Sequence, residues 1–111
     1  MLMFETLLTL LQATKIAFAA YDWDKSPSGV AYGVLSLTGG ANTIFSDNHI
    51  DAQAVEGVVD LYDTSIRTDN AKAVQAVLDG MDGCTWRLNS VQYESDTRLV
   101  HYEWIINLES L

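Results

Sequence analysis

Apolar residues recur along this chain first with a helical and later with a two-residue period, and the changes of period mark out its elements. Phe4, Leu7, Leu8 and Leu11 fall on one stripe, so residues 1–15 are predicted to form an amphipathic helix. Leu10 lies off that stripe, which leaves the helix apolar on a second side and hints at a partner. Bulk at Ile16, Phe18, Tyr21 and Trp23 predicts a strand from Lys15 to Trp23. A loop follows at 24–29, rich in Ser, Pro and Gly, and a second strand is expected from Val30 to Leu37, ended by Gly39-Gly40.

Residues 43–50 read as a short hairpin tip, because Asp47-Asn48 suits the positive φ angles of a tight reversal. The clearest central strand is Val55 to Tyr62, with Val55, Gly57, Val59 and Leu61 on one face and Glu56, Val58, Asp60 and Tyr62 on the other. A second helix should begin at Thr68 or Asp69, either of which can cap it. It would bury Ala71, Val74, Val77, Leu78 and Met81 and stop at Gly80 or Gly83. The last third predicts a hairpin turning at Glu94-Ser95-Asp96-Thr97. In its outgoing strand Trp86, Leu88 and Ser90 alternate with Arg87, Asn89 and Val91. In its return strand Val100, Tyr102, Trp104, Ile106 and Leu108 oppose His101, Glu103, Ile105 and Asn107. Helix, strands, helix and hairpin in this order predict one α+β domain over 1–111, a mostly antiparallel sheet with two helices packed on one face.

Composition narrows the classes of function. The chain has 111 residues, of which 49% are hydrophobic, enough for one modest core and too apolar for disorder. Fifteen acidic residues against six basic ones give a formal charge of −9, which argues against gripping nucleic acid or an anionic membrane. One cysteine, Cys84, rules out an internal disulfide and favours a reducing compartment. The run Leu7 to Leu11 resembles a secretory leader, but no basic residue precedes it and Thr6 and Thr9 interrupt it, so a soluble protein is expected.

Candidate chemistry is sparse. Asp22, Asp24, Ser26 and Ser28 alternate as calcium ligands do, yet Pro27 and Gly33 stand where that loop needs glycine and glutamate, so a solvated loop is expected. Cys84 would need a histidine beside it to act as a nucleophile. His49 and His101 are the two available, and a small core residue is the expected role for Cys84. Glu56 and Asp60 share a strand face and Glu103 lies on another strand, an arrangement expected of a wet sheet surface. Gly39-Gly40 lacks the lysine of a phosphate-binding loop. No catalytic residue, metal or cofactor is therefore expected. What stands out is aromatic: Tyr21, Trp23, Tyr32, Tyr62, Trp86, Tyr93, Tyr102 and Trp104 are many rings for so small a core, and interfaces are rich in Tyr and Trp.

Three stretches resemble the tail-terminator or tail-completion proteins of long-tailed bacteriophages. They are Phe45-Ser46-Asp47-Asn48-His49-Ile50, Val58-Val59-Asp60-Leu61-Tyr62-Asp63 and Val100-His101-Tyr102-Glu103-Trp104-Ile105-Ile106, and the resemblance in order and spacing extends over roughly residues 16 to 108. The resemblance implies a virion protein, assembled in the bacterial cytoplasm as a ring, usually of six subunits. Such a ring caps the tail tube and meets the head connector proteins. Each subunit would bury a head-to-tail interface, and an acidic inner wall would let DNA slide through without sticking. Phe45, Asp47, Asn48 and His49 at the hairpin tip are the residues expected to reach a neighbour. A head-side connector, a small non-catalytic protein-binding module and an enzyme with an unrecognised site are the alternatives.

Overall fold

The computed structural model describes residues 2–23, 25–46 and 49–111, with side chains described outside 40–53. The elements run α1 (Met3–Gln12), β1 (Ala17–Ala20), β2 (Tyr32–Ser46), β3 (His49–Asp63), α2 (Asp69–Gly80), β4 (Cys84–Glu94) and β5 (Leu99–Leu108). They build one five-stranded sheet in the order β1-β2-β3-β5-β4. Every pairing is antiparallel except β1 with β2. The fold is α+β, and the strand expected to be central, β3, is the middle one.

Alternation decides which face of the sheet is covered. Along β5, Val100, Tyr102, Trp104, Ile106 and Leu108 are buried, and the residues between them are only half-buried. Val59 and Leu61 of β3 and Leu35 of β2 join them, and Leu7 and Leu11 of α1 and Val74 and Leu78 of α2 close the core from the same side. Truncating any of these fully buried leucines to alanine would cost about 2–5 kcal/mol. Both helices therefore lie on one face, and among the described residues the other face carries no helix. Among the described residues, no helix is long and apolar enough to cross a membrane.

Four local expectations give way to backbone facts. The first strand is only Ala17–Ala20, because Lys15 (φ 72°) and Tyr21 (φ 65°) adopt left-handed conformations on either side of it. The second strand does not stop at its glycines. The register with β3 shifts between Leu37 and Gly39 and again between Gly39 and Asn42, so the strand bulges and continues to Ser46. The short tip is thus the end of a hairpin of two 15-residue strands. Thr68 occupies the N-cap of α2 but makes no side-chain capping bond. Buried Asp63 shapes that entry instead, accepting from Ser65 N–H (3.3 Å) and Asn70 Nδ2 (3.2 Å).

The fourth departure is in β4. Strict alternation would put Ser90 beside Trp86 and Leu88, and Val91 beside Arg87. A bulge between Leu88 and Ser90 reverses this. Ser90 pairs with Glu103 on the open face, while Val91 pairs with Tyr102 on the helix side. One extra residue in the strand turns Val91 and Tyr93 toward the edge of the core, where they stay exposed.

Candidate functional site

The open face of the sheet is built in rows. Register places Tyr32, Tyr62 and His101 side by side on β2, β3 and β5, with Gln92 of β4 completing the row. The three rings stack: Tyr32 and Tyr62 centroids lie 5.0 Å apart, and Tyr62 and His101 only 4.3 Å apart at 14°. The next row holds Val34, Asp60, Glu103 and Ser90. Since side chains one row apart along a strand are i and i+2, Asp60 and Glu103 flank the imidazole of His101.

The hydrogen bonds follow from that placement. His101 Nε2–H donates to Asp60 Oδ1 at 2.6 Å, with the two side chains 17% and 19% exposed. Glu94 Oε2 lies 3.8 Å from His101 Nδ1. Glu103 Oε1 accepts from Asn89 Nδ2 at 2.7 Å, and Asn89 Oδ1 accepts from Arg87 Nη1 at 2.8 Å. The bond to Asp60 raises the pKa of His101 above its ordinary value; burial works against this, and the charges of Asp60, Glu94 and Glu103 add to it. Burial, with the same carboxylates and Tyr32 nearby, pushes the Tyr62 phenol up to about 12. One oxygen or nitrogen from each of Asp60, His101 and Glu103 lies within 4.8 Å of the others.

The sequence groups Asp60 and Glu103, with Glu56, as carboxylates of one wet surface, and leaves His101 outside that group. The missing information is register: pairing of Asp60 with Glu103 and of Tyr62 with His101 is a property of the β3–β5 ladder. The available signal was a polar i, i+2 pair on each strand, Asp60/Tyr62 and His101/Glu103.

Other candidates fall elsewhere. Cys84 pairs with buried Leu108, on the helix side of the sheet, seven residues along β5 from His101 and on the opposite face. That separation is roughly 23 Å of strand, so no Cys84–His101 pair forms. Burial also raises the thiol pKa, which leaves Cys84 protonated and poorly nucleophilic. In the loop after β1, Asp22 Oδ1 accepts from Trp23 N–H at 2.8 Å, and the Trp23 indole donates to Gly33 O at 3.0 Å; Asp24 lies outside the described residues. Of the expected contact residues, Asp47 and Asn48 lie outside the described residues, as do the side chains of Phe45 and His49. Their strands pair Phe45 with Ile50 and Ser46 with His49.

A second feature is the reach of the β2–β3 hairpin. Among the described residues β5 pairs with β3 only from Val55 to Asp63, while β2 and β3 stay paired out to Ser46 and His49. The hairpin thus continues past the sheet as a two-stranded ribbon, and the molecule measures 52 Å along its longest axis against 26 and 25 Å across. A third feature is the edge strand β4, where Leu88, Val91 and Tyr93 are exposed, the first two lining a groove with Ile66, which is 85% exposed. Compared with known protein families the chain matches none, and it matches no curated protein.

Proposed function

We propose that this chain is a non-catalytic structural subunit that assembles with copies of itself into a ring at a phage head–tail junction, capping the tail tube as a tail terminator. The β2–β3 ribbon is the observation that carries the proposal. A two-stranded ribbon standing beyond its sheet is marginal alone in water, so an extension of this length gains its stability by lying against a neighbour. In a head-to-tail ring each ribbon reaches the next subunit, and rotation closes the contact.

Two further features support assembly. The open face presents Tyr32, Val34, Val58, Tyr62 and Ile105 without a covering helix. The edge strand β4 presents unpaired backbone and three exposed apolar side chains, an arrangement that invites a partner. The charge of −9 suits a channel through which DNA passes without specific binding. A head-side connector role would use the same ring and differ in which partner, tube protein or connector, each rim meets.

The test is to shorten the ribbon. Replacing residues 41–52 with a two-residue turn leaves the core strands from Val55 onward in place. The shortened chain should fold, keep its circular dichroism, and lose both ring formation and binding to the tube protein. A shortened chain that still forms the ring would sink the proposal.

A further inference from the structure

We propose that Asp60, His101 and Glu103 form a binding site for a divalent cation of the zinc class on the open face of the sheet. The site stands apart from the assembly reading, because all its donors come from one chain.

The donors are already gathered. Three atoms, one per residue, lie within 4.8 Å of one another. Donors around a tetrahedral zinc ion sit roughly 3.4 Å apart when each is about 2.0–2.2 Å from the metal. His101 Nε2 and Asp60 Oδ1 stand 2.6 Å apart across a shared proton, which the metal would displace as the two atoms part to that spacing. Asp60 and Glu103 are directly opposite across the β3–β5 ladder, so both carboxylates start from one row of the sheet.

The surroundings are those of a metal site as well. A ligating histidine commonly turns its other ring nitrogen toward a carboxylate, which fixes its orientation. Here Nε2 faces Asp60, and Nδ1 faces Glu94 Oε2 at 3.8 Å. The ring plane is fixed by stacking on Tyr62. The Glu103 carboxylate is held by Asn89 Nδ2. Both outer partners sit on β4, and the bulge after Leu88 sets the register there.

Charge argues in the same direction. Like charges directly across a ladder are destabilising, and Asp60 faces Glu103 with Glu94 close by. Among the described residues the ion pairs here are those of His101 with Asp60 and Glu94. Arg87 is bonded to Asn89. One imidazolium cannot balance three carboxylates, whereas a divalent ion bound by two of them does so more closely. A donor set of one imidazole nitrogen and two carboxylate oxygens suits zinc, and the harder calcium and magnesium favour oxygen alone. Three protein ligands would leave a fourth position for water or for a group from a partner.

The experiment uses the full chain, stripped of metal by chelation. Zinc(II) is titrated by calorimetry and cobalt(II) by its visible absorption, with the imidazole resonances followed by NMR. One ion per chain is expected, with cobalt bands and zinc-dependent shifts of the His101 ring. Asp60→Asn, Glu103→Gln and His101→Gln should each lose the cobalt bands while keeping the native circular dichroism. Asn89→Ala should weaken zinc by about 10-fold, and His49→Ala should leave zinc affinity unchanged. If a variant unfolds, the His101 ring shifts in the native chain decide the matter. Absence of those shifts, bands that persist in His101→Gln, or loss of binding in His49→Ala would each overturn the site.

Discussion

Trp104 is completely buried at the centre of β5, and its indole Nε1 donates to Gln75 Oε1 of α2 at 3.1 Å. The bond ties the middle of the sheet to the second helix at the one polar atom of the ring. A buried donor without a partner costs about 1–3 kcal/mol. Gln75→Leu should therefore lower stability by about that amount despite adding apolar surface, and a urea midpoint measurement reads it. Gln75→Glu, which keeps an acceptor, should cost less.

Phe18 lies across Gly33, so a Cβ at Gly33 would run into ring atoms Cε1 and Cζ. Phe18 is itself buried, which leaves the ring little room to retreat. Gly33→Ala should cost about 1–3 kcal/mol, the usual scale for overpacking a core. The companion change Phe18→Leu should restore part of the loss in the double variant, and thermal melting of the three chains checks this.

His101 makes stability depend on pH. Its folded-state pKa is raised, chiefly by the bond to Asp60, with Glu94 on β4 and Glu103 on β5 adding their charges against the effect of burial. Raised pKa means that the folded chain binds the proton more tightly than the unfolded one. The contribution is therefore complete below the ordinary histidine value of about 6.5 and disappears as pH climbs through the raised value. In the presence of a chelator, urea midpoints should fall across that window. In His101→Gln the fall should flatten, and an unchanged slope would refute the assignment.

Much of the covered face was legible in the sequence. Five alternating apolar residues from Val100 to Leu108 could only be a strand with one buried side, and all five are buried. The stripes of α1 and α2 were equally plain, with Leu7, Leu11, Val74 and Leu78 inside. Errors arose where one backbone angle or one extra residue decides the outcome. Left-handed φ at Lys15 and Tyr21 shortened β1, and the bulge after Leu88 moved Val91 to the other face. Gly39 bent the second strand where sequence rules expected an end, because a bulge uses glycine as readily as a turn does. The cluster of Asp60, His101 and Glu103 was out of reach for a different reason. It exists only through the pairing of two strands separated by α2 and β4, and strand partners are set by the whole sheet.

The most direct test of the account is the mass of the purified chain in solution, by native mass spectrometry and multi-angle light scattering over a range of concentrations. A closed ring predicts a discrete species about six times the 12.3 kDa of one chain, stable on dilution. A lone 12.3 kDa species at every concentration, unchanged when tail tube protein is added, would contradict it.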